Sequence, residues 1–206
     1  MHVDLIEVGL LSTNCYIVYE NQKCVLIDPG ADAGMICRRI EELGVTLCAI
    51  LLTHGHFDHI GAVEAIAGKY PDIKIYAGKD EDALLHDAQL NCTERVGRPC
   101  TVNADILVED GQVFTEADIE FRVIKTPGHT LGSVCYFISK EGILFAGDTL
   151  FQGSIGRTDL PTGDEAALFR SLGRLKMLPD ETIVYSGHGQ STSIGVEKRI
   201  NPFISM

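Results

Sequence analysis

The sequence predicts one domain of mixed α and β structure that spans residues 1–206. Short apolar runs rich in β-branched residues alternate along the chain with segments whose apolar residues recur at helical spacing. At 206 residues the chain is long enough to bury one sizeable core and short for two. Hydrophobic residues make up 45% and charged residues 22%, which is ordinary for a globular protein. We see no linker, low-complexity tract or short repeat.

The first half of the chain predicts an antiparallel meander followed by alternating helices and strands. Turn residues separate three β-prone runs near the N-terminus, at 5–8, 15–19 and 23–27. Apolar residues at helical spacing predict a helix over 33–43 that stops at Gly44. The later elements expected in this half are a strand at 47–52, a helix at 62–70, a strand at 73–76 and a short helix at 80–87.

The second half predicts a β-rich region with one long helix. Residues 88–105 are polar and irregular, and we expect them to form a surface loop near the functional site. Five strands are expected after it, at 106–109, 112–114, 119–124, 134–139 and 143–145. A helix is expected at 164–177, with Thr162 or Gly163 near its N-cap. The last strand is expected at 183–185, and Lys198 and Arg199 in the charged tail at 197–202 are expected to be solvated.

The most informative motif is His54-Gly55-His56-Phe57-Asp58-His59, directly after an apolar run that predicts a buried strand. It places three imidazoles and a carboxylate within six residues. The ends of strands are where α/β enzymes place their chemistry. The motif offers more ligands than one metal ion takes from a single segment, which indicates two adjacent metal ions that share it.

Three further candidate ligands lie elsewhere in the chain. His129, Asp148 and His188 each follow a glycine that comes after a β-prone run. Because glycine has no Cβ, the backbone beside it turns sharply and approaches an ion without a clash. A lone histidine is more often a surface or core residue than a ligand. Five of the seven histidines, however, lie at the ends of predicted strands beside glycine, so the set as a whole predicts a metal centre.

The order and context of these ligands resemble the metallo-β-lactamase superfamily over essentially the whole chain. Within that superfamily the chain is most similar to the glyoxalase II-like hydrolases, especially the short bacterial, hydroxyacylglutathione hydrolase-like kind. The stretches that carry the resemblance are 53–61, 126–130, 145–151, Gly156-Arg157-Thr158-Asp159 and 186–189. The resemblance implies the α+β fold of this superfamily, an αββα sandwich, whereas periodicity alone indicates only a mixture of helices and strands.

The resemblance also implies which residues bind metal. One ion would be held by His54, His56 and His129, the other by Asp58, His59 and His188, with Asp148 bridging the two. Zinc is the first expectation, and iron or manganese are alternatives because mixed histidine and carboxylate ligands accept all three. Two cations about 3.5–4 Å apart bring the pKa of a shared water towards about 7. The resemblance therefore implies a bridging hydroxide that attacks a carbonyl carbon, with Asp58 also orienting this nucleophile.

The implied reaction is a glyoxalase II-type hydrolysis of S-lactoylglutathione or a related acyl thioester. A thiolate, with a thiol pKa of about 8.5, leaves without a separate general acid. The chain ends soon after His188, so we expect the helical domain that grips glutathione in longer relatives to be absent. Arg157 and Asp159 stand where those relatives carry a lysine and a tyrosine. Arg157 is expected either to clamp a substrate carboxylate or to pair with Asp159.

Other functions remain open. A persulfide dioxygenase is a relative that uses one iron bound by the counterparts of His54, His129 and Asp148, and its sequence also reads Gly-Arg-Thr-Asp. Hydrolysis of a lactone or a β-lactam, RNA processing and a non-catalytic metal-binding role are further alternatives. A non-catalytic role predicts that some of the metal ligands have been replaced, whereas the predicted set of ligands is complete.

The bulk properties of the chain restrict its partners and its location. A net charge of −12 argues against nucleic acid or an anionic membrane, so we expect a small-molecule substrate. No apolar run approaches the length of a membrane span, and the N-terminus lacks the basic region of a signal peptide. The seven cysteines contain no Cys-x-x-Cys pattern, which favours reduced thiols and a cytoplasmic location.

Overall fold

Two six-stranded β-sheets stack face to face in the computed structural model, which describes residues 1–204. The first sheet contains, in spatial order, β1 (His2–Val8), β2 (Thr13–Glu20), β3 (Lys23–Ile27), β4 (Thr46–Leu51), β5 (Lys74–Gly78) and β6 (Ile106–Val108). The strands β1 to β3 form an antiparallel meander, as the sequence predicts. The strands β3 to β6 run parallel to one another, so their carboxyl ends meet at one edge of the sheet.

The second sheet comes from the second half of the chain. It contains, in spatial order, β7 (Val113–Glu116), β8 (Ile119–Lys125), β9 (Val134–Ile138), β10 (Ile143–Gly147), β13 (Ile183–Ser186) and β14 (Thr192–Ser193). The strands β7 to β10 alternate in direction, whereas β10 and β13 are parallel. The carboxyl ends of β8, β10 and β13 therefore lie at one edge. A separate hairpin is formed by β11 (Leu150–Phe151) and β12 (Ser154–Ile155).

The helices cover the outer faces of the two sheets. They are α1 (Ala33–Leu43), α2 (Phe57–Ile60), α3 (Val63–Lys69), α4 (Asp82–Leu85), α5 (Glu165–Leu175) and α6 (Ile194–Ile200), with 3-10 turns at Lys79–Glu81 and Glu94–Val96. The helix α1 has the predicted bounds because Ile36, Cys37 and Ile40 share its buried face. Gly44 ends it with a positive φ of 66°, which lets its N–H bond the carbonyls of the last turn.

The core consists of three apolar layers, which confirms the αββα sandwich. One layer lies between α1, α3 and the outer face of the first sheet, with Ile17, Ile40 and Ile66 buried in it. The middle layer lies between the sheets and contains Phe121 and Tyr136. The third lies between the second sheet and the helices α5 and α6. Hydrophobic burial on both faces of each sheet fixes the strand registers, because a one-residue slip would turn every side chain to the wrong face.

The structure differs from the sequence-based expectation at several places. The region 88–105 is not simply a surface loop, because Asn91, Cys92 and Thr93 are buried in it. The helix α5 starts one residue later than expected, since Asp164 is itself the N-cap and accepts a hydrogen bond from the Ala167 N–H.

The strand expected at 183–185 is present as β13, but it is not the last strand, because β14 and then α6 follow it. The charged tail belongs to α6, and Glu197 in it is fully buried. The short β11–β12 hairpin was not expected either. Within residues 1–204, no helix combines the length and the apolar character needed to cross a bilayer.

Candidate metal centre

The predicted ligands meet at one edge of the sandwich, because each of them follows a strand that ends there. The motif from His54 to His59 follows β4, and His129, Asp148 and His188 follow β8, β10 and β13. The parallel directions of these strands within each sheet bring the loops together. The structure thus gathers all seven predicted ligands, and their role as ligands stays a prediction.

The first ligand group consists of His54, His56 and His129, which each offer one ring nitrogen within 4.8 Å of the others. The Nδ1 atom of His56 lies 2.9 Å from Nε2 of His129. The other nitrogen of His129, Nδ1, donates a hydrogen bond of 2.8 Å to the Arg157 carbonyl. This bond fixes the tautomer of His129, so its Nε2 lone pair points at the cluster.

The second group consists of Asp58, His59 and His188, which satisfy the same distance criterion. The Asp58 Oδ2 atom lies 3.1 Å from Nε2 of His188 and 3.5 Å from Nε2 of His59. The turn between β1 and β2 supports this group. The Thr13 hydroxyl donates to Asp58 Oδ2 at 3.0 Å, and Nδ1 of His188 lies 3.2 Å from the Leu11 carbonyl.

Asp148 lies between the two groups. Its Oδ1 atom is 3.4 Å from Nε2 of His59, and its Oδ2 atom is 3.6 Å from Nε2 of both His129 and His188. Gly187 makes this placement possible, since a Cβ at that position would lie 2.2 Å from Oδ1 of Asp148. The carboxylate thus contacts both ligand groups, as a bridging ligand requires.

The buried polar atoms of the cluster fit a metal centre. The Nε2 atoms of His54, His56 and His59 and the Oδ1 atom of Asp148 are buried without a hydrogen-bond partner. Such atoms are rare in folded proteins because burial without a partner costs about 1–3 kcal/mol each. All four belong to predicted ligands, and imidazole and carboxylate are the ligands that zinc and iron accept.

The protonation states also fit metal binding. Burial lowers the pKa of His54 well below its usual value and lowers that of His56 to about 3, so both rings are neutral at pH 7. Burial opposes ionisation of Asp58 and Asp148, but the neighbouring histidines, His59 first and His188 after it, together outweigh burial and lower both carboxyl pKa values. Burial also acts against the charge on His59 itself, whose pKa is nevertheless raised by its carboxylate neighbours. Metal binding would therefore release a proton from His59.

Asp28 contacts a predicted ligand, and its position in the sequence did not identify it as part of the site. Its buried carboxylate accepts hydrogen bonds from the Thr53 N–H at 2.8 Å, the Thr53 hydroxyl at 2.6 Å and Nδ1 of His59 at 3.0 Å. The bond from Nδ1 leaves Nε2 of His59 facing the cluster. The available signal was Asp28-Pro29-Gly30 directly after β3, which was interpreted only as a turn.

Glu81 is a second missed residue, and it joins two ligand loops. Its buried carboxylate accepts from the Gly55 N–H at 2.8 Å, the Thr130 hydroxyl at 2.9 Å and the Gly132 N–H at 2.9 Å. Gly55 lies between His54 and His56, and Thr130 follows His129. Burial outweighs these bonds and raises the pKa of Glu81 to about 7. No local pattern in the sequence indicates this role.

Arg157 adopts one of the two expected arrangements. Its Nε and Nη2 atoms donate to the two carboxylate oxygens of Asp159, each at 2.7 Å. Both side chains are exposed, at 61% and 68%. Its backbone carbonyl supports His129, as described above. The Nε and Nη2 edge of the guanidinium is thus engaged within the chain, and a substrate carboxylate would have to displace Asp159 to bind there.

Comparison with known protein families agrees with the resemblance that the sequence motifs indicate. A family model described as "Metallo-beta-lactamase superfamily" matches residues 8–188. The chain is 36% identical to "Hydroxyacylglutathione hydrolase GloC" of Haemophilus influenzae, over 100% of this chain and 99% of the relative. It is 39% identical to "Probable metallo-hydrolase YqgX" of Bacillus subtilis, over 96% and 95% of the two chains.

Solved structures share the fold over nearly the full chain. The structure "BLEG-1 B3 metallo-beta-lactamase" has a TM-score of 0.94 and 43% identity, with 100% of both chains covered. The structure "TTHA1623 in a di-iron-bound form" has a TM-score of 0.88 and 37% identity, over 98% and 100% of the two chains. The structure "ETHE1 from Myxococcus xanthus" has a TM-score of 0.82 and 31% identity, over 98% and 84%.

Proposed function

Because this chain belongs to the metallo-beta-lactamase superfamily of metal-binding enzymes, we propose that it is a binuclear thioester hydrolase of the glyoxalase II type. The proposed substrate is S-lactoylglutathione or a related acyl thioester. The observation that carries the proposal is the complete set of seven converging ligands with its buried, unpartnered ring nitrogens. The full-length similarity to a hydroxyacylglutathione hydrolase supports it.

In this proposal the first ligand group holds one ion and the second group holds the other. His54, His56 and His129 form the first group; Asp58, His59 and His188 form the second, with Asp148 shared. The donor set suits zinc, iron and manganese. Zinc stays the first candidate, and the di-iron form of TTHA1623 supports iron beside it.

When bound, the cations would lower the pKa of a water molecule and would polarise the carbonyl group of the substrate through its oxygen. The residues of the chain orient the reacting groups and determine from which side the substrate reaches them. His188 is 27% exposed and the side chains of Asp58 and Asp148 are 12% exposed, whereas His54 and His59 are fully buried. The substrate therefore approaches from the side of His188 and Asp58. The Thr13 hydroxyl holds the Asp58 carboxylate there, where its Oδ2 can accept a proton from the attacking water.

The leaving group explains why a thioester suits this site. An alkoxide or amine leaving group would need an acid besides the predicted ligands, and the proposal assigns none. A thiolate does not, since its conjugate acid has a pKa of about 8.5. We place the reaction in the cytoplasm with a small-molecule substrate, and the seven free cysteines support a reducing compartment.

The test is hydrolysis of S-lactoylglutathione by purified protein whose metal content has been measured. Turnover that is lost with a chelator and restored by zinc or iron is the expected result. A protein that carries two metal ions and leaves the thioester intact would refute the proposal.

Two other activities have a specific observation in their favour. The 43% identity to a protein described as a B3 metallo-β-lactamase favours β-lactam hydrolysis. The 31% identity to ETHE1, together with Gly156-Arg157-Thr158-Asp159, favours the persulfide dioxygenase that the sequence left open. Hydrolysis of a chromogenic cephalosporin tests the first, and oxygen uptake with glutathione persulfide tests the second. The intact second ligand group favours the thioesterase over a single-iron oxygenase.

A further inference from the structure

The proposed glutathione thioester carries carboxylates, yet the expected cation for them is occupied. Asp159 binds Arg157 through Nε and Nη2, which form one edge of its guanidinium. The chain as a whole has a net charge of −12, which repels an anionic substrate. A second cation beside the metal centre would therefore favour the binding of an anionic thiol carrier.

The segment from Asn91 to Arg98 is fixed directly against the metal centre. The Asn91 carbonyl accepts a hydrogen bond of 2.9 Å from the N–H of Phe57, the residue between His56 and Asp58. The buried Asn91 side chain also binds the Cys100 carbonyl and the Thr93 N–H, each at 2.9 Å. These bonds make the segment a fixed part of the rim of the site.

Arg95 stands on this rim with its guanidinium unpaired. The 3-10 turn Glu94–Val96 carries it, and its N–H binds the Cys92 carbonyl at 3.2 Å. Its side chain is exposed, and among residues 1–204 it forms no hydrogen bond or ion pair. Burial raises the pKa of the Cys92 thiol, and the charges of Arg95, Asp58 and Arg157 also act on it. Arg95 thus lies on the segment that binds the backbone of Phe57 in the ligand motif, and its own backbone contacts Cys92.

We propose that Arg95 is a substrate-binding residue that pairs with a carboxylate of the thiol carrier while the acyl group lies at the metal centre. This inference rests on the proposed thioesterase function and adds to it the residue that selects an anionic carrier. A guanidinium suits this role because it binds a carboxylate through two parallel hydrogen bonds. The rigid turn beneath it reduces the entropy lost on binding.

The test is the binding of S-methylglutathione, a thioether that cannot be hydrolysed, to the metal-loaded protein by isothermal titration calorimetry at low salt. Arg95→Gln should weaken binding about tenfold, which corresponds to the loss of one charged contact. Arg98→Gln is the matched control, since Arg98 is an exposed arginine in the same segment, and it should change the affinity less than about twofold. The neutral analogue N-acetyl-S-methylcysteamine should bind the wild-type protein and Arg95→Gln equally.

The possible results separate this inference from the proposed function. Equal losses of affinity in Arg95→Gln and Arg98→Gln would show a general charge effect and overturn the contact. A wild-type protein that does not bind S-methylglutathione would overturn it as well. An unchanged affinity of Arg95→Gln would overturn it too. Binding that depends on Arg95 without turnover of S-lactoylglutathione would support the contact and refute the thioesterase. The difference between wild type and Arg95→Gln should shrink at about 0.5 M salt, where exposed charges are screened.

Discussion

Replacing Asp28 by asparagine tests whether this carboxylate fixes His59 for metal binding. Three donors point at the Asp28 carboxylate, from the Thr53 N–H, the Thr53 hydroxyl and the His59 ring. An asparagine keeps one acceptor oxygen and places an NH2 group at the other position. In either orientation of the amide, at least one buried N–H then faces another donor. The variant also removes the negative charge that stabilises these bonds.

The expected loss follows from these contacts. A buried donor left without an acceptor costs about 1–3 kcal/mol, so Asp28→Asn should lower the free energy of unfolding of the metal-free protein by about 2 kcal/mol. For a chain of this length that corresponds to a fall in Tm of about 4–8 °C. Because Nδ1 of His59 loses its fixed acceptor, metal affinity should fall about 10–100-fold.

Urea unfolding of the metal-free protein and competition with a chelator measure these two quantities. Asp118→Asn is the control, because within residues 1–204 the Asp118 side chain forms only an exposed ion pair of 3.0 Å with Lys23. Asp118→Asn should lower the free energy of unfolding by less than about 1 kcal/mol and leave the metal affinity unchanged. A metal affinity of Asp28→Asn within twofold of wild type would refute the idea that Asp28 orients His59.

Four further substitutions test other parts of the site. Asp58→Asn should lower kcat for thioester hydrolysis by about a hundredfold or more, with metal content measured in parallel, because it removes both a ligand charge and a proton acceptor. Gly187→Ala should destabilise the fold by about 1–3 kcal/mol in urea and abolish turnover, since its Cβ would lie 2.2 Å from an oxygen of the bridging carboxylate. Asp159→Asn should free its arginine partner and lower KM for anionic thioesters without changing KM for neutral ones. Glu81 has a folded-state pKa raised to about 7, so its protonated form contributes stability at pH 4 that disappears as the pH rises through 7. The stability of wild type relative to Glu81→Gln, from urea unfolding of metal-free protein, should therefore fall between pH 4.5 and 8, and a constant difference would contradict this account.

The elements that the sequence predicts well are those with a local pattern. The helix α1 has matching bounds because its buried face and its Gly44 cap are both visible in the sequence. The meander β1 to β3 likewise follows from apolar runs separated by turn residues. The stacking of the two sheets does not follow from periodicity, since strand pairing across the chain has no local signal, and it was expected only from the family resemblance.

The C-terminal region shows why other elements were missed. Glu197 lies in a charged tail whose Lys198 and Arg199 are expected to be solvated, yet Glu197 itself is buried in α6. Its carboxylate accepts hydrogen bonds from the Gly153 N–H at 2.8 Å, the Thr192 hydroxyl at 2.6 Å and the Asn201 amide at 2.8 Å. The Gly153 donor is distant in sequence, so composition alone suggests an exposed side chain.

The predicted ligands have a local sequence pattern, whereas the residues that orient them do not. His54, Asp148 and His188 were found because a metal ligand needs a particular side chain and a glycine beside it, and both are visible in the sequence. Asp28 and Glu81 are buried carboxylates whose donors lie on loops that come together only in the folded chain. Glu81 ties the loop of His54 to the loop of His129, so the geometry of the first ligand group depends on a residue outside every ligand motif. The metal centre is therefore a property of both sheets packed together, and loosening either loop should weaken metal binding before it unfolds the protein.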